Sequence, residues 1–195
     1  MTNFKEVNMN EFFQRVKDIL LNPNQTWENI SAEPATETQL TRDYLSVIAI
    51  APTLFGFLGL LFSRVNFFSA LLWAVLFYLC AIGGAYLFSR ALSFLAAGFN
   101  GTRDSATFFK LGVYSLTPIF MSNIFFIIPP IYGLSIVGLY GFYLFGIGFT
   151  KIIDYPPEEK LNFLIVGVIC FLLSVILIYL LPALISRTAV YYSVV

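Results

Sequence analysis

Five long apolar runs constrain the fold of this chain more than any other feature of its sequence. They lie at 44–63, 67–90, 106–128, 131–150 and 161–185. About 20 helical residues cross a bilayer core about 30 Å thick, so each run is long enough for one crossing. The runs are too long for the strands of a membrane β-barrel, and they lack its alternating pattern. We therefore predict an all-α membrane protein with five transmembrane helices.

The composition narrows the class of function. Hydrophobic residues make up 58% of the chain, charged residues only 11%, and histidine is absent. Without histidine the chain lacks the commonest general base, the usual nucleophile–histidine pairs and the common zinc ligand sets. Cys80 and Cys170 lie in separate predicted spans and are interpreted as buried hydrophobic residues. We predict a protein that is not an enzyme, has no cofactor or metal site, and does not bind nucleic acid.

Basic residues concentrate on one side of the five predicted spans. An odd number of spans places the N-terminus on the same side as the loops that follow spans two and four. Nine basic residues fall there, and two on the other side: Lys5, Arg15, Lys17, Arg42, Arg90, Arg103, Lys110, Lys151 and Lys160 against Arg64 and Arg187. Short loops rich in Lys and Arg stay in the cytoplasm. We predict a cytoplasmic N-terminus and a C-terminus outside.

The polar N-terminal region, residues 1–43, has a formal charge of −3, from four basic and seven acidic residues. Helical spacing predicts an amphipathic helix over about residues 9–21, with an apolar face made of Phe12, Phe13, Val16, Ile19 and Leu20. This helix lies in the membrane interface or on the bundle, or it docks a partner. An irregular linker is predicted after it, with Trp27 as an anchor at the headgroup level.

Small residues recur along two predicted spans. Ala81, Ala85 and Ser89 are spaced by four in the second span. A second set lies within one sector of the fourth span and consists of Gly133, Gly141 and Gly148. Small faces let helices approach closely in lipid. They predict close packing inside the bundle, with a homo-oligomer interface as the alternative.

Two prolines interrupt apolar spans. Pro52 and Pro118 lie near the middle of spans one and three. Each removes a backbone hydrogen bond, so we predict a kink, or a cavity of the kind that broken helices form in some transporters. Ser115 and Thr117 are candidates to bond the carbonyl groups that Pro118 frees.

Charged side chains stand at the inner ends of spans two and three. Arg90 and Lys110, with Arg103 and Asp104 between them, form a candidate basic site on the inner rim. Snorkelling of the side chains to the interface explains their position. The alternative is a site for a phospholipid headgroup or a small anion.

Several motifs together resemble the YIP family of five-span membrane proteins. They comprise Phe12–Leu20, Asn22-Pro23, Trp27–Ile30, Phe99–Thr102, Gly112–Pro118 and the aromatic, glycine-rich stretch Leu139–Gly148. The resemblance implies five helices and a cytoplasmic N-terminus. Eukaryotic members are associated with Rab-type GTPases and membrane traffic. The short N-terminal region is closer to prokaryotic members, for which no biochemical activity is implied, and it suggests the prokaryotic inner membrane.

Two functions remain open on the sequence alone. The first is a non-enzymatic membrane protein that organises the lipid bilayer, or a membrane-protein or cytoplasmic partner, through its cytoplasmic face. The alternative is a small transporter or channel for an ion or small anion. No Asp, Glu or His lies inside a predicted span, which argues against proton coupling.

Overall fold

The computed structural model describes residues 9–99 and 104–192, with the side chains of Pro129 and residues 186–192 excepted. Two short helices, α1 (Met9–Leu21) and α2 (Pro23–Ala32), precede five long ones. The long helices are α3 (Glu37–Phe62), α4 (Phe67–Gly98), α5 (Ser105–Ile127), α6 (Pro130–Ile152) and α7 (Pro157–Tyr192). All five are long and apolar enough to cross a membrane. The prediction of an all-α membrane protein with five spans is confirmed.

The spanning helices extend beyond the predicted apolar runs at the end of the bundle that bears α1 and α2, the head end. Helix α3 begins at Glu37 because the Thr36 side chain and Gln39 form a reciprocal capping box there. Helix α4 continues through Arg90 as far as Gly98. Hydropathy marks where a helix enters lipid, whereas hydrogen bonding decides where it ends, so the two boundaries differ.

The helical geometry changes within three spans. Helix α3 contains a wider π-helical turn at Thr41–Leu45. The last part of α5, Ser122–Ile127, and the segment Pro129–Leu139, which continues into the rest of α6, are 3₁₀-helical. A 3₁₀ segment rises about 2.0 Å per residue against 1.5 Å in an α-helix. These two segments therefore form a slimmer, longer end of the bundle away from the head, the far end.

Aromatic rings fill the centre of the bundle. Helix α5 is the most buried span: twelve residues between Phe108 and Phe120 are buried, and only Lys110 in that stretch is not. Rings from the other spans meet there: Phe88 and Phe145 lie 6.0 Å apart, and Phe145 stacks on Phe171 at 5.0 Å. In lipid, such dispersion contacts and close packing hold helices together, because the hydrophobic effect does not act between them.

The small residues of α4 are buried against neighbouring helices. Ala81, Ala85 and Ser89 are at most 1% exposed. The neighbouring Gly84 lets α7 approach closely enough for the Ser174 hydroxyl to donate to its carbonyl at 3.1 Å. These residues therefore serve packing within the chain.

The glycines of α6 have different surroundings. A Cβ atom at Gly141 would meet the Ser115 carbonyl oxygen of α5 at 2.6 Å, and one at Gly148 would meet the Trp27 ring at 2.6 Å. Gly133 has open space instead. Two members of the predicted face thus pack inside the chain, and the third lies at a surface.

The prolines distort their helices locally. Helix α3 is interrupted at Ala49, next to Ile48, the residue whose carbonyl Pro52 leaves without its usual donor. Helix α5 continues through Pro118 to Met121 before it tightens. The predicted repair by side chains is wrong. Thr117 bonds the Tyr44 hydroxyl instead, and the buried Ser115 hydroxyl has no hydrogen-bond partner among the described residues.

The prediction of an irregular linker is wrong for residues 23–32, which form α2. Pro23 stands in its first turn, where the missing N–H costs nothing. Trp27 and Ile30 are at most 1% exposed. Trp27 is therefore a core residue and not the headgroup anchor that its polar sequence context suggested.

Candidate functional site

The head, residues 9–36, is packed onto the bundle by Trp27. The Trp27 ring fills the space that Gly148 of α6 leaves open, and it meets the Tyr114 ring of α5 edge-on at 6.0 Å. A buried Trp makes a large contact area, so this one side chain fixes α2 against two spans.

Helix α1 bridges two different spans. Near its start, Phe12 packs on Tyr44 of α3 with ring centres 5.4 Å apart. At its end, the Leu20 carbonyl accepts a hydrogen bond from Tyr140 of α6 at 3.1 Å.

Both contacts lie beside the central helix α5. The Tyr44 hydroxyl bonds Thr117 at 2.7 Å, and Gly141, next to Tyr140, lies against Ser115. Ser115 and Thr117 are two residues apart on α5, and Leu20 also lines a groove with Met121 and Phe125 farther along that helix. Helix α1 therefore lies on the side of the bundle, between α3 and α6.

Charged side chains join the head to the rim, which comprises Arg90, Asp104, Ser105, Lys110 and Lys151 at the head end. Arg90 of α4 binds the Glu37 carboxylate at 2.8 Å and the Ser105 hydroxyl at 2.9 Å. Ser105 in turn donates to Glu37. Arg90 is 63% exposed, so this ion pair is worth little by itself. Its role is to align the starts of α3 and α5 with α4.

Lys110 binds the end of α2. Its ammonium group donates to the carbonyls of Glu33 and, at 3.5 Å, of Ile30. Carbonyl groups at a helix C-terminus carry a partial negative charge that a lysine stabilises. Lys151 of α6 forms an ion pair with Glu28, which also belongs to α2. The acidic head and the basic rim thus attract each other directly.

The candidate basic site on the inner rim has a structural role at each described position. Arg90 bonds Glu37 at the start of α3, Lys110 bonds the segment that ends α2, and Asp104 caps α5. Arg103 lies outside the described residues. Binding of a lipid headgroup or an anion at this rim stays a prediction.

Asp104 should make stability depend on pH. Its carboxylate accepts hydrogen bonds from the Thr107 hydroxyl and from the N–H groups of Ala106 and Thr107. These bonds, that of the Thr107 hydroxyl first, lower the pKa of Asp104 below its usual value. The stabilisation of the folded protein by the ionised Asp104 carboxylate is therefore complete above the unfolded pKa of about 3.9. It is lost as the pH falls through the lower pKa of the folded state.

We expect Asp104→Ala to lower the stability by about 1 kcal/mol at neutral pH, which is the usual value for a helix cap. Asp104→Asn keeps a capping oxygen and is the matched control. Thermal unfolding in detergent at pH 7 and pH 3 measures both. Equal stability of the alanine variant and the native chain at pH 7 would contradict a stabilising role of Asp104 as the cap of α5.

The outward face of α1 is apolar. Met9, Phe13 and Leu21 are 47%, 61% and 66% exposed, and they recur at intervals of four and eight residues on one side of the helix. We call these three residues the outer stripe. Lys17 occupies the intervening position and is exposed.

The predicted docking face of α1 is divided by the structure. Phe12 and Ile19 are buried against the bundle, and Val16 and Leu20 are half-buried. Only Phe13 points away. Sequence reasoning missed Met9 and Leu21, although their spacing from Phe13 carried the signal for a second apolar stripe.

The comparison with protein families agrees with this architecture. The family model described as "Yip1 domain" matches residues 17–186, which span most of the head and all five spans. The chain belongs to the Yip1 domain family. It is thus an integral membrane protein. Its Yip1 domain begins within α1, at residue 17. Neither the curated proteins nor the solved structures gave a match.

Proposed function

We propose that this Yip1-domain protein organises the lipid bilayer without enzymatic activity, on the cytoplasmic side of a prokaryotic inner membrane. The observation that carries the proposal is the outer stripe, an exposed apolar surface on a helix that is packed against the side of the bundle. A helix of this kind buries its apolar face several ångströms into the headgroup and acyl boundary. Here the bundle holds it at a fixed height, so it occupies space in one leaflet only.

The level of α1 supports a lipid environment for the stripe. Ser115 and Thr117 lie 10 and 12 residues from the start of α5, which is about 15–18 Å along an α-helix. Helix α4 has 32 residues, about 48 Å, and projects beyond a core of about 30 Å. The helix ends thus extend into the headgroups and beyond, so the contacts of α1 with Tyr44 and Tyr140 fall within the length of the spans, at the side of the bundle that faces lipid.

The transporter alternative receives less support. Its motivation was the pair of prolines and the basic rim. Pro52 and Pro118 are buried in helix contacts, and aromatic rings occupy the bundle centre. Lys110 bonds the head, and Arg90 bonds Glu37 at the start of α3. We therefore keep the bilayer-organising function as the single proposal.

Labels on α1 test the environment of the stripe. Cysteines at Phe13, Leu21 and Gln14 would carry spin labels in a chain whose Cys80 and Cys170 are replaced by alanine. In liposomes, we expect the labels at positions 13 and 21 to collide preferentially with oxygen, which dissolves in lipid. The label at Gln14, the adjacent exposed residue, should collide with a water-soluble nickel complex. Preference for nickel at all three positions would overturn the proposal and favour a protein partner for the stripe.

The double variant Phe13→Ser/Leu21→Ser tests the effect on the bilayer. Removing the apolar groups withdraws α1 from the leaflet, so vesicles containing this variant should be larger than those containing the native protein. Electron microscopy at equal protein-to-lipid ratios measures the diameters. Phe68→Ser is the matched control, because Phe68 is 81% exposed but belongs to the far end. Equal diameters for the native protein and the double variant would count against the proposal.

A further inference from the structure

A cavity at the far end of the bundle is lined in part by polar side chains, which are not needed for packing the spans against one another. It is an open cleft between α5, α6 and α7 with a volume of about 400 Å³, within the usual range for ligand pockets. Its lining is mostly apolar, for example Ile119, Phe142 and Val175. Polar atoms come from Ser122, Asn123, Ser135 and Tyr179.

Asn123 is the distinctive residue of this cavity. It is only 2% exposed, and its side-chain oxygen accepts a hydrogen bond from the Tyr179 hydroxyl at 3.1 Å. The Nδ2 group is buried and has no acceptor among the described residues. A buried donor without an acceptor is unfavourable unless a ligand or water supplies the partner. Tyr179 thus orients an amide whose donor remains free for something that enters the cavity.

The neighbouring hydroxyl does not fill this role. Ser122 donates to the Ile119 carbonyl of its own helix at 2.8 Å. Its side chain is fixed by Gly138 of α6, where an added Cβ would lie 2.6 Å from the Ser122 oxygen. The cavity wall is therefore held in place on both sides of Asn123.

The position and the lining indicate the kind of ligand. Asn123 is four residues from Ile127, the last residue of α5, which in 3₁₀ geometry is about 8 Å from the helix end. The surface next to the cavity is apolar, with Ile136 66% exposed, and the residues that line it carry no charge. A neutral acceptor attached to a hydrocarbon chain, near the end of the spans, matches the ester carbonyl of a membrane lipid.

We propose that this cavity binds the acyl-ester region of a membrane lipid, with the ester carbonyl accepting a hydrogen bond from Asn123 Nδ2. The first part of the acyl chain lies against Ile119, Phe142 and Val175. Because the lining is uncharged, binding depends on the ester and is indifferent to the headgroup. The site is at the opposite end from the head and acts independently of it.

A comparison of ester and ether lipids tests the proposal. The purified, delipidated full-length protein is titrated with diester phosphatidylcholine and with the diether analogue of the same chain length. Native mass spectrometry counts the bound lipids. One hydrogen bond is worth about 1 kcal/mol, so we expect the diester lipid to bind about fivefold more tightly. Phosphatidylglycerol pairs should give the same ratio.

Variants assign the effect to this site. Asn123→Leu keeps the size of the side chain and removes the donor, so the ester preference should vanish. Thr53→Val, which removes a hydroxyl from the groove between α3 and α4, should leave the preference unchanged. Thermal unfolding of each variant without lipid confirms that it is folded. Equal binding of diester and diether lipids by the native protein would overturn the proposal, and so would an ester preference that persists in Asn123→Leu.

Discussion

Replacing Gly59 by alanine is expected to destabilise the protein by about 3 kcal/mol, at the upper end of the usual cost of overpacking. The added Cβ would lie 1.9 Å from the backbone oxygen of Phe126 and 2.9 Å from its carbonyl carbon. A backbone atom cannot swing aside as a side chain can, so α3 and the far part of α5 would have to separate. Thermal unfolding in detergent measures the loss.

Gly83→Ala is the matched control for this experiment. Gly83 also lies within a spanning helix, α4, but a Cβ there would have nothing within 4 Å. Alanine favours a helix by about 0.8–1 kcal/mol over glycine, so this variant should be as stable as the native chain or more stable. The same substitution thus has opposite signs at the two positions. Equal effects at Gly59 and Gly83 would contradict the helix contact described above.

Replacing Trp27 by alanine is expected to release the head. Truncation of a fully buried Trp costs about 3–5 kcal/mol, and Trp27 is 0% exposed between α2, α5 and α6. The loss should appear as local opening of α1 and α2, since the spans keep their own contacts. Trypsin should then cleave after Arg15 and Lys17 about 100-fold faster, because 3 kcal/mol is a factor of more than 100 in the open population.

Two further variants sharpen the test of the head. Gly148→Ala places a methyl group 2.6 Å from the Trp27 ring, so it should accelerate cleavage as well, although Trp27 itself is unchanged. Phe94→Ala is the control for loss of an aromatic side chain, since Phe94 is 81% exposed. Cleavage at the native rate in Trp27→Ala would show that the charged contacts alone hold the head.

These variants also bear on the proposed function. Release of the head by Trp27→Ala should remove the fixed height of α1 and hence the one-leaflet position of the outer stripe. The spin label at Leu21 would then show mixed oxygen and nickel accessibility. If the label at Leu21 keeps its lipid environment in Trp27→Ala, α1 binds the membrane by its own apolar face and does not need the bundle.

Parts of the candidate site are visible in the sequence. Arg90, Asp104 and Lys110 stand out because they interrupt or flank apolar runs. Their partners do not, since Arg90 and Glu37 are 53 residues apart and Lys110 and Ile30 are 80 apart. No local pattern connects residues at such separations. The charge difference between the N-terminal region and the rest of the chain pointed only to a general attraction.

The N-terminal region shows the limit of local patterns. Residues 22–40 contain two prolines and many polar side chains, which is typical of a linker, yet α2 forms there. Its stability comes from the burial of Trp27 and Ile30 on α5 and α6 and not from intrinsic helix propensity, because tertiary packing overrides weak propensities.

The apolar runs alone predict five membrane-crossing helices and roughly where each one lies. The physical reason is local: in lipid every backbone N–H and C=O must be bonded within its own segment, so a long apolar run has to be a helix. Tertiary structure decided how the head seats on the bundle, which side of α1 faces outward, and that Asn123 keeps a free donor in a cavity. These features depend on Gly148 meeting Trp27 and on Tyr179 meeting Asn123, contacts between distant residues that exist only once the helices have packed.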